Sequence, residues 1–361
     1  MMRRFYFILL PFMLTASAVS CSRNGIFQDV PVEMVKARHA AHIEKDTSFS
    51  GFFGEVGHFL DLQIVRDSIL VVQDMGSAGD SSWFKAYSLE RGRYLGSFIK
   101  KGRGPSEMLN PRIAKASPGA VCMHVYDIMM GRFCSIDASG LSLPDSDEPL
   151  SWKEIPDNTV LWAPSSVTSF FSMDKQNNEF VFHHSDAKGQ IVRSYPLFQG
   201  LDAEQLMTHL SCLCAADSQK GVTAVAMLFF PQIVFIDEHG RVRSVSTSKE
   251  YRNWKSTISR MIAPDFVQYY SAMAAASDYL FAVYPSCPLG NMAAPDRPSA
   301  IQVFNGKGDF LLELSVDERI GSIAYDEKNG FLYGIDTAND CIVRYDLSFL
   351  SDADGSNFQN Q

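Results

Sequence analysis

The sequence has little positive charge and only one extended apolar run. That run, Phe5 to Leu14, is about ten residues long, half of what a membrane-spanning helix needs. Acidic residues outnumber basic ones by 41 to 32, giving a formal net charge of −9, and the one dense basic run is Lys100 to Arg103. A phosphate backbone requires a broad basic surface, so nucleic acid is not an expected partner.

Catalytic motifs are also lacking. The chain contains no Gly-x-Ser-x-Gly elbow, no His-Glu-x-x-His, no Walker A loop and no Cys-x-x-Cys. The eight histidines are scattered, and the adjacent pair His183-His184 would point to opposite faces of a strand. We therefore predict no catalytic residues, no metal site and no cofactor.

The N-terminus reads as a secretory signal. Arg3-Arg4 precede the apolar run, and small residues follow it up to Ser20, so residues 1–20 are predicted to be removed. Loss of the two arginines takes the net charge from −9 to −11. The string Ala18-Val-Ser-Cys21 resembles a bacterial lipobox, which implies lipidation of Cys21; the alternative is an ordinary signal peptide. Ser22 after the cysteine favours the outer membrane by the same resemblance, with the leaflet left open.

Six further cysteines are compatible with disulfides in an oxidising compartment. Cys122 and Cys134 flank a predicted turn and could face each other across a hairpin. The alternative is that all six are small buried residues in strands.

One phrase recurs along the chain: an apolar pair, an acid or amide, a few residues, then glycine. Its complete copies end at Gly92, Gly140, Gly189, Gly240 and Gly308, and a sixth ends without glycine at Asp346. Aspartate or asparagine can bond the amides of a tight turn, and glycine accepts a positive φ. The repeated acids are therefore predicted to be structural.

The spacing of these turns predicts the fold. Successive glycines are 48, 49, 51 and 68 residues apart, and the apolar runs between turns are short and rich in aromatic and β-branched residues. A propeller blade of four antiparallel strands takes about 40–50 residues. We predict an all-β, six-bladed β-propeller over residues 32–350, after a lipidated tether at 21–31 and before a polar tail at 351–361. Five or seven blades are the alternatives.

Two segments complete this picture. The last repeat lacks a fourth strand, and Val32 to Lys36 is predicted to supply it by pairing outside the third strand of the last blade, which closes the ring. The stretch from Ser256 to Ala276 is predicted to be loop with at most one helical turn, because Pro264 interrupts its helical pattern.

The connection after the first blade is the most unusual local string. It contains Lys101, Arg103 and Glu107 around two glycines and a proline, and strand order places it on the same rim as the inserted loop Ser286 to Ser299. Arg103 could bind carboxylate or phosphate through forked hydrogen bonds, and Lys101 and Glu107 are further candidates for ligand binding. The alternative is that the glycines serve a sharp bend and Glu107 pairs locally.

The lipobox, the repeats and the string Gly102-Arg-Gly-Pro-Ser-Glu107 together resemble the TolB-like six-bladed propeller lipoproteins of Gram-negative anaerobes. That family commonly has glycine where Ser106 stands here. The resemblance covers about residues 30–350 and implies a propeller at the cell envelope, with no settled activity or ligand.

Two functions follow as hypotheses. The first is a non-catalytic binding or scaffolding module for a glycan, peptide or protein, held at the membrane by the N-terminal lipid. The second is an enzyme similar to propeller lactonases or lyases, with a calcium ion in the channel. Its candidate ligands, Asp61, Asn110, Asp174 and Asp278, show no regular spacing, so the sequence favours the binding module and leaves enzymatic activity open.

Overall fold

The computed structural model describes residues 30–49, 58–76, 81–116, 119–137, 152–154, 159–164, 170–176, 179–186, 190–196, 212–217, 220–249, 251, 267–291 and 299–350. The predicted signal peptide, the lipidation site Cys21, most of the tether and the C-terminal tail lie outside these residues. Within them the chain is almost entirely β-strand, with three short 3-10 turns at Ile128–Met130, Leu289–Asn291 and Ser348–Leu350.

The strands form successive antiparallel units, preceded by two short N-terminal strands, β1 (Val32–Met34) and β2 (His39–His42). Unit 1 contains β3 (Phe59–Val65), β4 (Ile69–Asp74), β5 (Ser82–Ser88) and β6 (Arg93–Lys101), and β7 (Glu107–Met108) runs parallel to β6. Unit 2 contains β8 (Pro111–Ala116), β9 (Cys122–Asp127), β10 (Arg132–Asp137) and β11 (Trp152–Glu154). Unit 3 contains β12 (Thr159–Pro164), β13 (Phe170–Gln176), β14 (Glu179–Ser185) and β15 (Ile191–Pro196).

The second half of the chain repeats the pattern. Unit 4 contains β16 (Cys212–Asp217), β17 (Val222–Met227), β18 (Ile233–Ile236) and β19 (Val242–Ser246), followed by the short strand β20 (Val267–Gln268). Unit 5 contains β21 (Ala272–Ala275), β22 (Tyr279–Tyr284), β24 (Ser299–Asn305) and β25 (Phe310–Val316), and β23 (Cys287–Pro288) in its central loop pairs with β20. Unit 6 contains β26 (Ile320–Asp326), β27 (Phe331–Asp336) and β28 (Cys341–Asp346).

The innermost strands contact one another in a closed series, and β8 of unit 2 also pairs directly with β16 of unit 4. Each first strand contacts the first strand of the next unit, in the order β3, β8, β12, β16, β21 and β26, and β26 contacts β3 again. The apolar core lies between neighbouring sheets: one cluster joins units 1 and 2, another units 4 and 5, another units 5 and 6, and another units 6 and 1. The all-β propeller predicted from the sequence is therefore confirmed, while six as the number of blades stays a prediction. Unit 6 has three described strands, as its truncated repeat indicates.

The turn chemistry explains why the repeats fold alike. Oδ1 of Asp237 accepts the amides of His239 and Arg241 at 3.0 and 2.8 Å, and Gly240 has a φ of 73°. In unit 5 the side chain of Asn305 accepts two turn amides in the same way. At these two turns the repeated carboxylate or amide holds its own turn, which is the structural role that the sequence predicts.

The predicted pairing of Val32 to Lys36 with the last unit is wrong. β1 runs parallel to β19 at the outer edge of unit 4, β2 runs parallel to β25 of unit 5, and only then does the amide of Asp46 reach Arg344 O of unit 6 at 2.7 Å. We call residues 32–46 the strap. The sequence pattern located an edge strand, but its partner is chosen by contacts more than 200 residues away, such as Glu33 with Arg243.

The prediction for Ser256 to Ala276 also needs correction in its described part. Ala272–Ala275 is the innermost strand of unit 5, and its three alanines and Met273 lie in the buried core. Alanine has low strand propensity, but small side chains suit a strand at the crowded centre of the ring, where neighbouring backbones approach closely.

Candidate functional site

The candidate loop after unit 1 is folded onto its own backbone. The Gly104 amide donates to Oε2 of Glu107 at 2.6 Å, and the Glu107 amide donates to Gly104 O at 3.2 Å. A Cβ on Gly102 would lie 2.0 Å from Oε2 of Glu107, and its φ of 155° disfavours other residues. The glycines therefore leave room for the carboxylate, whose contacts are those of a local structural role.

Side chains of neighbouring strands hold the same loop in place. Nη2 of Arg132, at the start of β10, donates to the carbonyl oxygens of Gly104 and Glu107 at 3.1 and 2.5 Å. Nε1 of Trp83 donates to Met108 O at 2.8 Å. Arg132 is a residue that sequence reasoning missed, because nothing in its local string shows that it reaches a loop 25 residues upstream.

The other two predicted ligand-binding residues of this loop differ in their surroundings. Lys101 Nζ donates to Met75 O at 2.5 Å and lies 5.0 Å from the centre of the Trp83 ring. Arg103 is exposed at the surface. The structure thus brings Lys101 and Glu107 into the fold of the loop and leaves Arg103 in solvent; ligand binding by Arg103, Glu107 and Lys101 stays a prediction.

The antiparallel strands define two faces of the ring. The loops between units and between second and third strands emerge on one face, which we call the loop face; it carries Arg103 and Ser286. The hairpin turns between first and second strands and between third and fourth strands emerge on the other, which we call the turn face. The Arg103 loop follows unit 1, whereas the loop at Ser286 belongs to unit 5, so the two loops share a face but belong to different units.

A cavity of about 530 Å³ opens on the turn face between units 4 and 5. Residues of four turns form its walls, at Lys220 to Val222, Asp237 to Arg241, Ser277 to Asp278 and Asn305 to Lys307. Its volume falls within the roughly 300–1,000 Å³ usual for ligand-binding pockets. No sequence pattern indicated it, because its walls come from turns about 20–90 residues apart.

The cavity has charged walls and an apolar floor. Val222 and the buried ring of Phe235 form the floor. The charged or titratable side chains of the lining are Lys220, Asp237, Glu238, His239, Arg241, Arg243, Asp278 and Lys307. Four permanent cations thus face three carboxylates, so the cavity suits a ligand with charges of both signs or one with a modest negative charge.

Most of these charges are held in place by partners. Arg243 donates to Oε2 of Glu33 and Oδ1 of Asp309 at 2.9 and 2.8 Å, and Arg241 pairs with Asp237 at 2.6 Å. Burial would raise the pKa of Asp237, but hydrogen bonds from the Arg241 backbone and side chain lower it below the usual value. The carboxylate therefore stays ionised at neutral pH.

Lys307 differs from the other cations. Its side chain is exposed at the cavity rim, and among the described residues no carboxylate lies within ion-pair distance of it. Its own backbone oxygen accepts a hydrogen bond from Nη1 of Arg243 at 2.6 Å, which fixes the turn. Lys307 is accordingly the cation of the lining that can bind an incoming anionic group without first losing a partner.

The calcium ligands considered from the sequence are not brought together. Asp61 contacts Nζ of Lys115 and Oγ of Ser322, both at 2.5 Å, near the centre of the ring. Asp278 pairs with Lys220 at the turn-face cavity. Asn110 is exposed on the loop face and Asp174 lies on β13 of unit 3. In the part of the chain that the structure describes, no group of three His, Cys, Asp or Glu residues is arranged to hold a metal ion.

The cysteines between residues 122 and 341 are all free thiols. Cys134 lies opposite Val125 and Cys122 opposite Asp137, so the suggested bridge across this hairpin is wrong. The two cysteines are three pairs apart in the register. Their positions on either side of the predicted turn do not show this offset. Burial raises the pKa of Cys134 and of Cys212 to about 12, in agreement with small buried residues.

Comparison with known proteins agrees with the fold. The chain is similar to the crystal structure of a DUF4221 family member from Bacteroides vulgatus, with a TM-score of 0.50 at 11% identity over 81% of this chain and 91% of that one. It is similar to a putative exported protein from Bacteroides fragilis, also with a TM-score of 0.50 at 11% identity, over 87% and 99% of the two chains. At this identity the likeness concerns the fold alone.

A streptogramin B lyase matches with a TM-score of 0.46 at 10% identity over 81% of this chain and 94% of the lyase, a likeness on which no argument about activity rests. No protein-family model matches the sequence, and no curated protein matches it. Among the described residues there is no helix of the length and hydropathy needed to cross a membrane.

Proposed function

We propose that the protein is a lipoprotein of the cell envelope, anchored through Cys21, whose propeller is a non-catalytic binding module. The cavity between units 4 and 5 carries this proposal. It combines a ligand-sized volume, an apolar floor and preorganised charges of both signs. The resemblance to TolB-like lipoproteins, and the exported character named for the protein from Bacteroides fragilis, support the address at the envelope.

The chemistry of the cavity favours a charged partner segment. Its one phenyl ring, Phe235, is 3% exposed, and among the described lining residues no Phe, Tyr or Trp offers an open face for stacking against a neutral sugar. The walls instead offer a free ammonium at Lys307 and a guanidinium at Arg241. We propose a peptide or an acidic glycan that presents a carboxylate or phosphate group to these two side chains.

A capture experiment tests the site. The lipoprotein would be cross-linked in isolated envelopes and then purified. The peptides and glycans recovered with it would be compared for wild type, Lys307→Glu and Lys328→Glu. Lys328 is a matched control because it is exposed in the turn after β26, on the same face but outside the cavity. We expect a partner that Lys307→Glu loses and Lys328→Glu keeps. Equal recovery by both variants would remove the cavity from the proposal.

The loop face gives a second proposed site, at Arg103, Glu107 and Lys101. Arg103→Ala is the informative variant, since Arg103 is exposed whereas Glu107 holds the loop together. Loss of a partner with Arg103→Ala but not with Lys307→Glu would place binding on the loop face. The enzyme alternative is tested separately by measuring calcium in the purified protein, where a stoichiometric amount would favour it.

A further inference from the structure

The strap has a direction that fixes where the chain enters the propeller. β19 begins at the turn of Asp237 to Arg241 and runs from the turn face to the loop face. β1 is parallel to it, with Val32 opposite Ser244 and Met34 opposite Ser246. The residues that precede Val32 therefore come from the turn face.

The place of entry adjoins the cavity. Glu33, the second residue of β1, bonds the guanidinium of Arg243, and Arg243 lines the cavity. Arg243 also bonds Asp309 in the neighbouring unit, and Arg38 of the strap lies 3.8 Å from that same carboxylate. The outer wall of the cavity and the start of the strap are thus one connected set of charged contacts.

The strap is held along its length, and its attachment to units 4 and 5 begins at its first residues. Beyond the two strand pairings, the amides of Val35, Arg38 and Ile43 donate to main-chain oxygens of units 4 and 5 at 3.0–3.1 Å. Val32 is 6% exposed. At the far end Asp46 binds Arg344 at 2.5 Å. Tension on the N-terminus is therefore applied at the turn-face edge of unit 4.

We infer that the turn face, with its cavity, is held toward the membrane and the loop face away from it. This rests on the proposed lipid at Cys21. Nine residue steps separate Cys21 from Val30, which span at most about 32 Å. The strands between the faces are mostly 4–7 residues long, or about 13–23 Å. To hold the loop face against the bilayer, the tether would have to run the roughly 13–23 Å between the faces, which takes about half of its maximum length. Holding the turn face there requires no such run, so the turn face stays nearer to the bilayer, and the partner of the cavity belongs to the layer next to the lipid headgroups.

Energy transfer measures this orientation. The full lipoprotein would carry one fluorescent amino acid, at position 307 on the turn face or at position 103 on the loop face. It would be reconstituted in phosphatidylethanolamine–phosphatidylglycerol vesicles that contain a headgroup-linked acceptor. We expect a ratio of transfer efficiency, position 307 over position 103, above one. A third protein with thirty Gly and Ser residues inserted after Ser22 is the matched control, because a flexible linker releases the constraint and should bring the ratio to one.

The outcomes separate the orientation from the anchor. Vesicle retention of wild type is compared first with that of Cys21→Ser. If the vesicles retain neither protein, the lipid anchor and the orientation are both overturned. If wild type is retained and the ratio is one or less, or if the long linker leaves a high ratio unchanged, the orientation alone is wrong and the anchor stands.

Discussion

Lys115 of unit 2 places its ammonium 2.5 Å from the carboxylate of Asp61 in unit 1, close to the axis of the ring. The same ammonium contacts Leu62 O and lies 3.4 Å from Ser322 Oγ and from Ile323 O in unit 6. Asp61 in turn accepts a hydrogen bond from Ser322. One charged pair therefore joins three of the innermost strands, at the junction where the first and last units of the chain meet.

Replacing Lys115 by methionine should destabilise the ring. The two side chains are 11% and 24% exposed, so the substitution leaves a mostly buried carboxylate without its cation. Breaking such a pair costs about 2–4 kcal/mol, slightly less than for a fully buried one. Urea denaturation measures the loss. The double variant Asp61→Leu/Lys115→Met should lose less than the sum of the single variants, and strict additivity would contradict a direct coupling.

Glu107→Ala should lower the free energy of unfolding by about 1–2 kcal/mol, because the Gly104 amide loses a charged acceptor. Arg103→Ala should change it by less than about 0.5 kcal/mol, since that side chain is exposed. Thermal unfolding of the two variants side by side is sufficient. A larger loss with Arg103→Ala would mean that the arginine, and not the glutamate, holds the loop.

Gly102→Ala should be destabilising for two separable reasons. The new Cβ would overlap the Glu107 carboxylate, and the φ of 155° is strained for alanine. Adding Glu107→Ala removes the overlap and keeps the strain. We therefore expect the cost of Gly102→Ala to be smaller in the Glu107→Ala background, measured again by thermal unfolding; the same cost in both backgrounds would show that backbone strain alone is responsible.

The strap should loosen in acid. Hydrogen bonds from Ser48 and Arg344 lower the pKa of Asp46 from 3.8 to about 2. A carboxyl with a lowered pKa in the folded state contributes stability that is present above its unfolded pKa and lost as the pH falls through the folded one. The stability advantage of wild type over Asp46→Asn should therefore be full above about pH 5 and shrink toward pH 2. Denaturation at a series of pH values tests this, and a constant difference would contradict it.

Val32→Ala should destabilise the protein by about 1–2 kcal/mol, because two buried methyl groups are lost at the edge of unit 4. Met34→Ala should have little effect, since Met34 is 37% exposed. Val35 packs against the core between units 4 and 5, so the paired substitution of Met34 and Val35 should lower the melting temperature chiefly through Val35. Equal effects of Val32→Ala and Met34→Ala would contradict the pairing with β19.

Local rules made much of this fold predictable. The turns at Asp237 and Asn305 form because their side chains accept hydrogen bonds from amides two and four residues ahead. Such contacts can be predicted from a short stretch of sequence. Strands such as Tyr279–Tyr284 are long enough and rich enough in aromatic and β-branched residues to be recognised alone. The alanines of Ala272–Ala275 were misread because their strand is set by crowding at the ring centre.

The candidate site was less predictable. The cavity needs Lys220, Arg243 and Lys307 to meet, and these lie on three different hairpins. The strap likewise depends on Glu33 finding Arg243 and on Asp46 finding Arg344. Neither partner can be identified from periodicity, because a charged residue at a strand edge has the same local pattern whichever sheet it eventually joins.

The strap also sets an order of assembly. Glu33 binds a residue 210 positions downstream and Asp46 one that is 298 positions downstream. Closing loops of that length is entropically slow, and on the proposed export route the N-terminal part of the mature chain crosses the membrane before units 4 to 6. The strap can then dock only after units 4, 5 and 6 have folded. The segment next to the proposed lipid is thus made first and docked last, so attachment to the membrane can precede completion of the ring.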